Sequence, residues 1–229
     1  MKIGGFQKSS LIDFPGKVAA VVFTQGCAWR CPYCHNRALV YPSRFQPSMP
    51  VEEIFEHLLL GRSQLDGVVI TGGEPTQQCG LMDFLRRIRE MGLLIKLDTN
   101  GSNPGMLTSL LEENLLDYIA MDVKGPLSEY RRFVGCEVDT GPLELSIELI
   151  KQAKIPYEFR TTLVGGLHTQ EHLDQLAPLM YGVRRYAVQT YRMPPSDFRS
   201  QPPFTPPDVS LFHIASEALR DRVDEFLVR

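Results

Sequence analysis

Six short runs rich in valine, isoleucine and leucine recur along the chain with helical patterns between most of them, and this alternation limits the fold more than any other feature. The runs are VAAVVFTQ (18–25), GVVITGGE (67–74), LLIKLDTN (93–100), YIAMDVK (118–124), YEFRTTLV (157–164) and RYAVQTY (185–191). Near-continuous apolar strands of this kind suit a parallel sheet with crossover helices. The intervening segments 49–62, 80–92, 103–115, 143–154 and 169–180 read as those helices, the last with Thr169 as its N-cap.

Polar residues gather at the C-terminal ends of the runs: Gln25, then Gly72 to Glu74, Asp98 to Asn100, Asp122 and Lys124, Arg160 to Thr162, and Gln189 to Tyr191. In βα barrels that rim carries ligands and catalytic groups, so these tips predict one shared site. The expected fold class is α/β, a partial (β/α)6 barrel: an open three-quarter TIM-type barrel with parallel strands. A flat doubly wound sheet is the alternative.

With 229 residues, 43% of them hydrophobic, the chain can form one domain over 1–229, with a barrel core over 16–192. Residues 193–229 are expected to add a proline-rich loop, MPPSDFRSQPPFTPPD (193–208), and a last helix, VSLFHIASEALRD. Twenty-four basic against 27 acidic side chains give a formal charge of −3, so no strong field favours nucleic acid or an anionic membrane. The N-terminal stretch has no apolar h-region, and Val18 to Phe23 is too short to span a bilayer, so a soluble cytoplasmic protein is expected.

Five cysteines are an odd number, and Cys27, Cys31 and Cys34 lie close together, which argues for a metal or redox centre in place of a disulfide framework. A closed structural zinc site takes four ligands. His35 is badly spaced to be the fourth, and Cys79 and Cys136 read as ordinary small, packed and inert residues. Three thiolates suit a [4Fe–4S] cluster with one iron left open to an exogenous ligand.

The Cys-x3-Cys-x2-Cys spacing with Tyr33 before the third cysteine resembles the signature of the radical S-adenosylmethionine enzymes. Together with GFQKSSLIDFPGK, FTQGCAWRCPYCHN, TGGEP, DTNG and MDVKG, it is similar to the activases of glycyl radical enzymes, nearest to the activating proteins of anaerobic ribonucleoside-triphosphate reductase. The resemblance covers nearly the whole chain. It implies an oxidoreductase that binds S-adenosylmethionine at a cluster held by Cys27, Cys31 and Cys34, receives electrons from a donor such as flavodoxin or ferredoxin, and forms a radical on a glycine of a partner enzyme. It also implies cofactor contacts at Tyr33, at Gly72, Gly73 and Glu74 for the methionine amine, and at Asp98, Thr99 and Asn100 for the ribose or methionine portion. Asp122, Lys124, Arg160 and Gln189 complete the set, with Trp29 helping to exclude solvent. In some activases two strand-tip aspartates also hold a monovalent cation.

Each tip alone has a plainer reading. TGGEP is a common strand-end turn, DTNG an N-cap and turn, and Asp122 with Lys124 a local ion pair, since residues two apart on a strand point alike. Arg160, a cation within a β-type run, calls for a carboxylate partner such as Asp122 or Glu74, or the cofactor's carboxylate. His168 and His172 read as loop and helix-surface residues. Two other functions remain: a small-molecule enzyme of the 7-carboxy-7-deazaguanine synthase type, and a non-catalytic metal-binding or electron-transfer module.

Overall fold

β1 (Ile3–Ser10) opens the chain, and the six apolar runs follow as β2 (Ala19–Thr24), β3 (Gly67–Gly72), β4 (Leu94–Thr99), β5 (Tyr118–Asp122), β6 (Tyr157–Leu163) and β7 (Val183–Thr190); β8 (Val223–Val228) closes it. This computed structural model describes residues 1–193 and 204–229. The expected helices appear as α2 (Val51–Gly61), α3 (Leu81–Glu90), α4 (Pro104–Glu112), α6 (Gly141–Gln152), α7 (Gln170–Leu176) and α8 (Val209–Leu219), joined by two short ones, α1 (Arg37–Val40) and α5 (Tyr130–Val134). Parallel strands alternating with helices make this the expected α/β class.

The residues fall into two compact units. The first comprises Met1–Ala28, Asn36–Ala120 and Ala153–Pro156, and the second Trp29–His35, Met121–Gln152 and Tyr157–Arg229. In the first, β1 pairs antiparallel with β2, and β2, β3 and β4 run parallel in that order, with Ala19 opposite Gly67 and Thr24 opposite Gly72. The register aligns the ends of β2 and β3, so the loops that follow them leave the sheet side by side. Phe14, Ala19, Val21, Val69, Tyr118 and Ala120 form one core cluster there.

In the second unit β6, β7 and β8 are parallel neighbours. A second cluster joins Tyr33, Phe133, Val164, Leu167 and Tyr191, with Phe204 packed against it. Thr169 caps α7 as expected, accepting from the His172 N–H, while His172 Nδ1 accepts from the Thr169 N–H; the histidine takes the place usually held by Glu or Gln in a capping box. Most of the proline-rich stretch expected over 193–208 lies outside the described residues. Of its end, Thr205 bridges Gly165, and Asp208 caps α8 by accepting from the Leu211 N–H. Among the described residues no helix is long and apolar enough to cross a membrane.

Candidate active site

Cys27 lies in the loop that leaves β2, and the turn after β3 holds that loop by its backbone. The Gly73 N–H donates to Thr24 O and the Glu74 N–H to Gly26 O, both at 2.8 Å. The two glycines are required because backbone meets backbone at this point. A Cβ on Gly73 would lie 2.1 Å from Gly26 O, and Gly72, at φ +109°, would place one 2.5 Å from Thr24 N. Asn36 Nδ2 donates to Gly72 O, and the Ala28 N–H donates to Gln77 Oε1, which ties down the far side of the loop. The close approach expected of these glycines is therefore to the cysteine-bearing loop.

Glu74 points inward and is 1% exposed. Its Oε1 accepts from the Thr76 N–H and hydroxyl and from the Thr99 hydroxyl, while Oε2 accepts from the Asn100 N–H at 2.7 Å. Burial pushes the carboxyl above its usual range, and these four donors pull against that rise. The result is a clamp between the tips of β3 and β4. Asn100, also buried, donates from Nδ2 to Cys27 Sγ at 3.7 Å. Asp98 pairs with Lys96, a buried lysine two residues earlier on the same strand face.

In the second unit the Cys34 N–H donates to Cys31 O at 3.0 Å, which sets the two cysteines at the ends of one turn. Between them Tyr33 turns into the core against Tyr191, His168 and Phe204. Among the described residues its buried hydroxyl has no hydrogen-bond partner, and burial pushes its pKa well above the usual phenol value. Trp29 is buried edge-on against Tyr130, while exposed His35 stacks on Tyr191 and meets Arg192 O through Nε2.

Asp122, Lys124 and Arg160 form a triad: Lys124 Nζ donates to Asp122 Oδ2 at 2.9 Å and Arg160 Nε to Asp122 Oδ1 at 2.8 Å. Asp122 is the carboxylate that Arg160 was expected to find. Burial alone would raise the Asp122 pKa, but Arg160 and Lys124 outweigh it and hold the carboxyl well below the usual range. Burial likewise opposes the Lys124 charge, and Asp122 more than restores it. Asp122 thus bridges two cations, one just past β5 and one on β6. Gln189 lies near the end of β7, half-buried opposite Thr162 of β6.

Three expectations are corrected. His168 and His172 are buried. His168 Nδ1 accepts from the Val164 N–H and Nε2 donates to Lys124 O, which fixes the neutral tautomer and supports the backbone of the triad. Cys79 is exposed, not packed, and lines the same hollow as Cys27, Lys2 and Gln78. Lys96 and Tyr130 were not singled out from the sequence. Lys96 was legible by the same i, i+2 rule that pairs Asp122 with Lys124. Tyr130, whose hydroxyl accepts from the Lys124 N–H, sits in a five-residue helix with no periodic signal.

None of the five cysteines forms a disulfide. Among the described residues no three His, Cys, Asp or Glu side chains stand together as a metal-holding group. The cysteine motif crosses the boundary between the units, with Cys27 in the first and Cys31 and Cys34 in the second. The donor set fits an iron–sulfur centre: three soft ligands, two of them at the ends of one turn and the third receiving an amide N–H at sulfur.

Residues 21–179 match the family described as the Radical SAM superfamily. A protein of Methanocaldococcus jannaschii, provisionally named a glycyl-radical enzyme activating enzyme, is 35% identical over 194 residues, covering 82% of this chain and 79% of its own. The pyruvate formate-lyase-activating enzyme of Clostridium pasteurianum is 32% identical over 128 residues; that match takes in 54% of this chain and about half (52%) of the relative. Among solved structures, Streptococcus suis SuiB bound to S-adenosylmethionine superposes with a TM-score of 0.68 at 14% identity, covering 91% of this chain and 49% of SuiB. At that identity the likeness is one of fold.

Proposed function

Because the chain belongs to the radical S-adenosylmethionine superfamily, and within it to the activating enzymes of glycyl-radical enzymes, we propose that it reductively cleaves S-adenosylmethionine at a [4Fe–4S] cluster to form a glycyl radical on a partner protein. We take that partner to be anaerobic ribonucleoside-triphosphate reductase, and the setting the cytoplasm. The observation that carries the reading is the three-cysteine motif with the Gly72–Glu74 turn folded against the loop that carries its first member. When bound, cluster and cofactor supply a one-electron cleavage: one electron from a donor such as flavodoxin or ferredoxin and one hydrogen atom from the glycine convert S-adenosylmethionine to methionine and 5′-deoxyadenosine.

Cys27, Cys31 and Cys34 would hold the cluster, and the absence of a fourth thiolate in the motif leaves one iron for the cofactor's amine and carboxylate. The cations Lys124 and Arg160 beside Asp122 suit the carboxylate, while Gly72, Gly73 and Glu74 suit the amine end. Asp98 and Thr99 belong to the ribose or methionine portion, and Tyr33 and Gln189 to the adenosine. Asp98 and Asp122 already have resident cationic partners in Lys96, Lys124 and Arg160, so a monovalent cation has competition at both. Trp29 and Tyr33, both buried, would keep water from the ligand turn.

Anaerobic incubation of reconstituted protein with the reductase, reductant and S-adenosylmethionine tests the reading. A glycyl doublet in the electron paramagnetic resonance spectrum is expected. Uncoupled formation of 5′-deoxyadenosine without that signal would remove the reductase as the partner.

A further inference from the structure

We propose that Asn100 donates a hydrogen bond to the thiolate of Cys27 and so sets the reduction potential of the centre that Cys27 ligates, with Glu74 as the residue that positions it. The inference rests on the cluster reading above and assigns Asn100 to sulfur instead of to the organic cofactor. Three contacts fix the orientation of its amide. Oδ1 accepts from the Ser102 N–H at 2.9 Å, so the remaining face of the amide, Nδ2, is the one turned to Cys27 Sγ at 3.7 Å. The backbone N–H is held by Glu74 Oε2 at 2.7 Å. Glu74 is itself locked by Thr76 and Thr99, and its own N–H holds Gly26, the residue before Cys27. One buried residue, with its carboxylate on Asn100 and its backbone N–H on Gly26, therefore registers donor and acceptor against each other.

The chemistry follows from charge. Reduction adds one electron to the cluster, and part of that charge resides on the cysteine sulfurs. An N–H directed at sulfur stabilises the reduced form more than the oxidised one, which raises the potential. Asn100 is 7% exposed, so water has little access to replace the donor if it is removed. A donor at this position would ease electron delivery from a weak physiological reductant.

The test is a potentiometric titration of anaerobically reconstituted protein, following the reduced-cluster signal, for wild type, Asn100→Leu and Asn100→Asp. Asn100→Leu is expected to lower the equilibrium constant for reduction about tenfold, which is 59 mV for one electron. Asn100→Asp, which keeps the size and the backbone bond to Glu74, should lower it at least as far, and it carries the test if the leucine variant fails to hold iron. Affinity for S-adenosylmethionine, read from the spectral change on its addition, should change little. Unaltered potentials in loaded variants would overturn the inference, and so would weakened cofactor affinity at constant potential, which returns Asn100 to the cofactor. Wild type that takes up no iron and sulfide would overturn the cluster reading and this one with it.

Discussion

His168 offers a quantitative handle on the second unit. Its ring is buried between the Val164 N–H and Lys124 O, and the first contact, in which Nδ1 accepts, requires the neutral imidazole. Burial, aided by the charges of His172 and Arg132, lowers its pKa from 6.5 to about 4. Above the unfolded value neither state is protonated, and the histidine imposes no pH dependence. As pH falls from 6.5 toward 4, the unfolded chain binds a proton that the folded chain does not, so stability is lost across that window. The full shift is worth about 3 kcal/mol, of which about 2 kcal/mol appears between about pH 7.5 and 5. Trp29 is the sole tryptophan and is buried against Tyr130 in the same unit, so urea unfolding followed by its fluorescence reports on this region. Titrating carboxylates contribute to the wild-type slope as well, and the difference from His168→Gln isolates the histidine. The variant should lose about 2 kcal/mol of the pH-dependent difference. Equal slopes for wild type and variant would refute the argument.

The remaining predictions concern the site. Gly73→Ala forces a methyl into Gly26 O, so it should cost about 1–3 kcal/mol, visible in thermal melts, and reduce iron uptake by displacing Cys27. Cys79→Ser should leave iron and sulfide content unchanged, whereas Cys27→Ser, Cys31→Ser or Cys34→Ser should each abolish stable loading; equal loss in Cys79→Ser would make it a fourth ligand. Arg160→Met leaves Asp122 with Lys124 alone, which should raise the apparent dissociation constant for S-adenosylmethionine, measured spectrally, several-fold through loss of positive charge.

Much of the fold was legible in the sequence because the apolar strands and amphipathic helices carry strong periods. Six strands and six helices were found where the pattern placed them. β1 was hidden because its residues, IGGFQKSS, form a half-exposed antiparallel edge with no clean alternation. β8 follows the charged end of α8, and VDEFLV there reads as well as a continuing helix. Strand ends were over-extended: Glu74, Asn100 and Lys124 lie just past β3, β4 and β5. That offset matters, since residues beyond the last ladder bond can turn toward neighbouring loops, as Glu74 and Asn100 do. Within the site, the Arg160–Asp122 pair followed from the cost of a buried cation. The burial of His168 did not, because a loop histidine gains that environment only from tertiary packing of Phe133 and Tyr33 around it.

Mössbauer spectroscopy of protein reconstituted anaerobically with iron-57, before and after adding S-adenosylmethionine, bears most directly on the three-thiolate, open-iron arrangement. A four-iron cluster is expected in which a single iron changes its isomer shift when the cofactor binds. Four irons that ignore the cofactor, or a protein that binds only tetrahedral zinc, would contradict it.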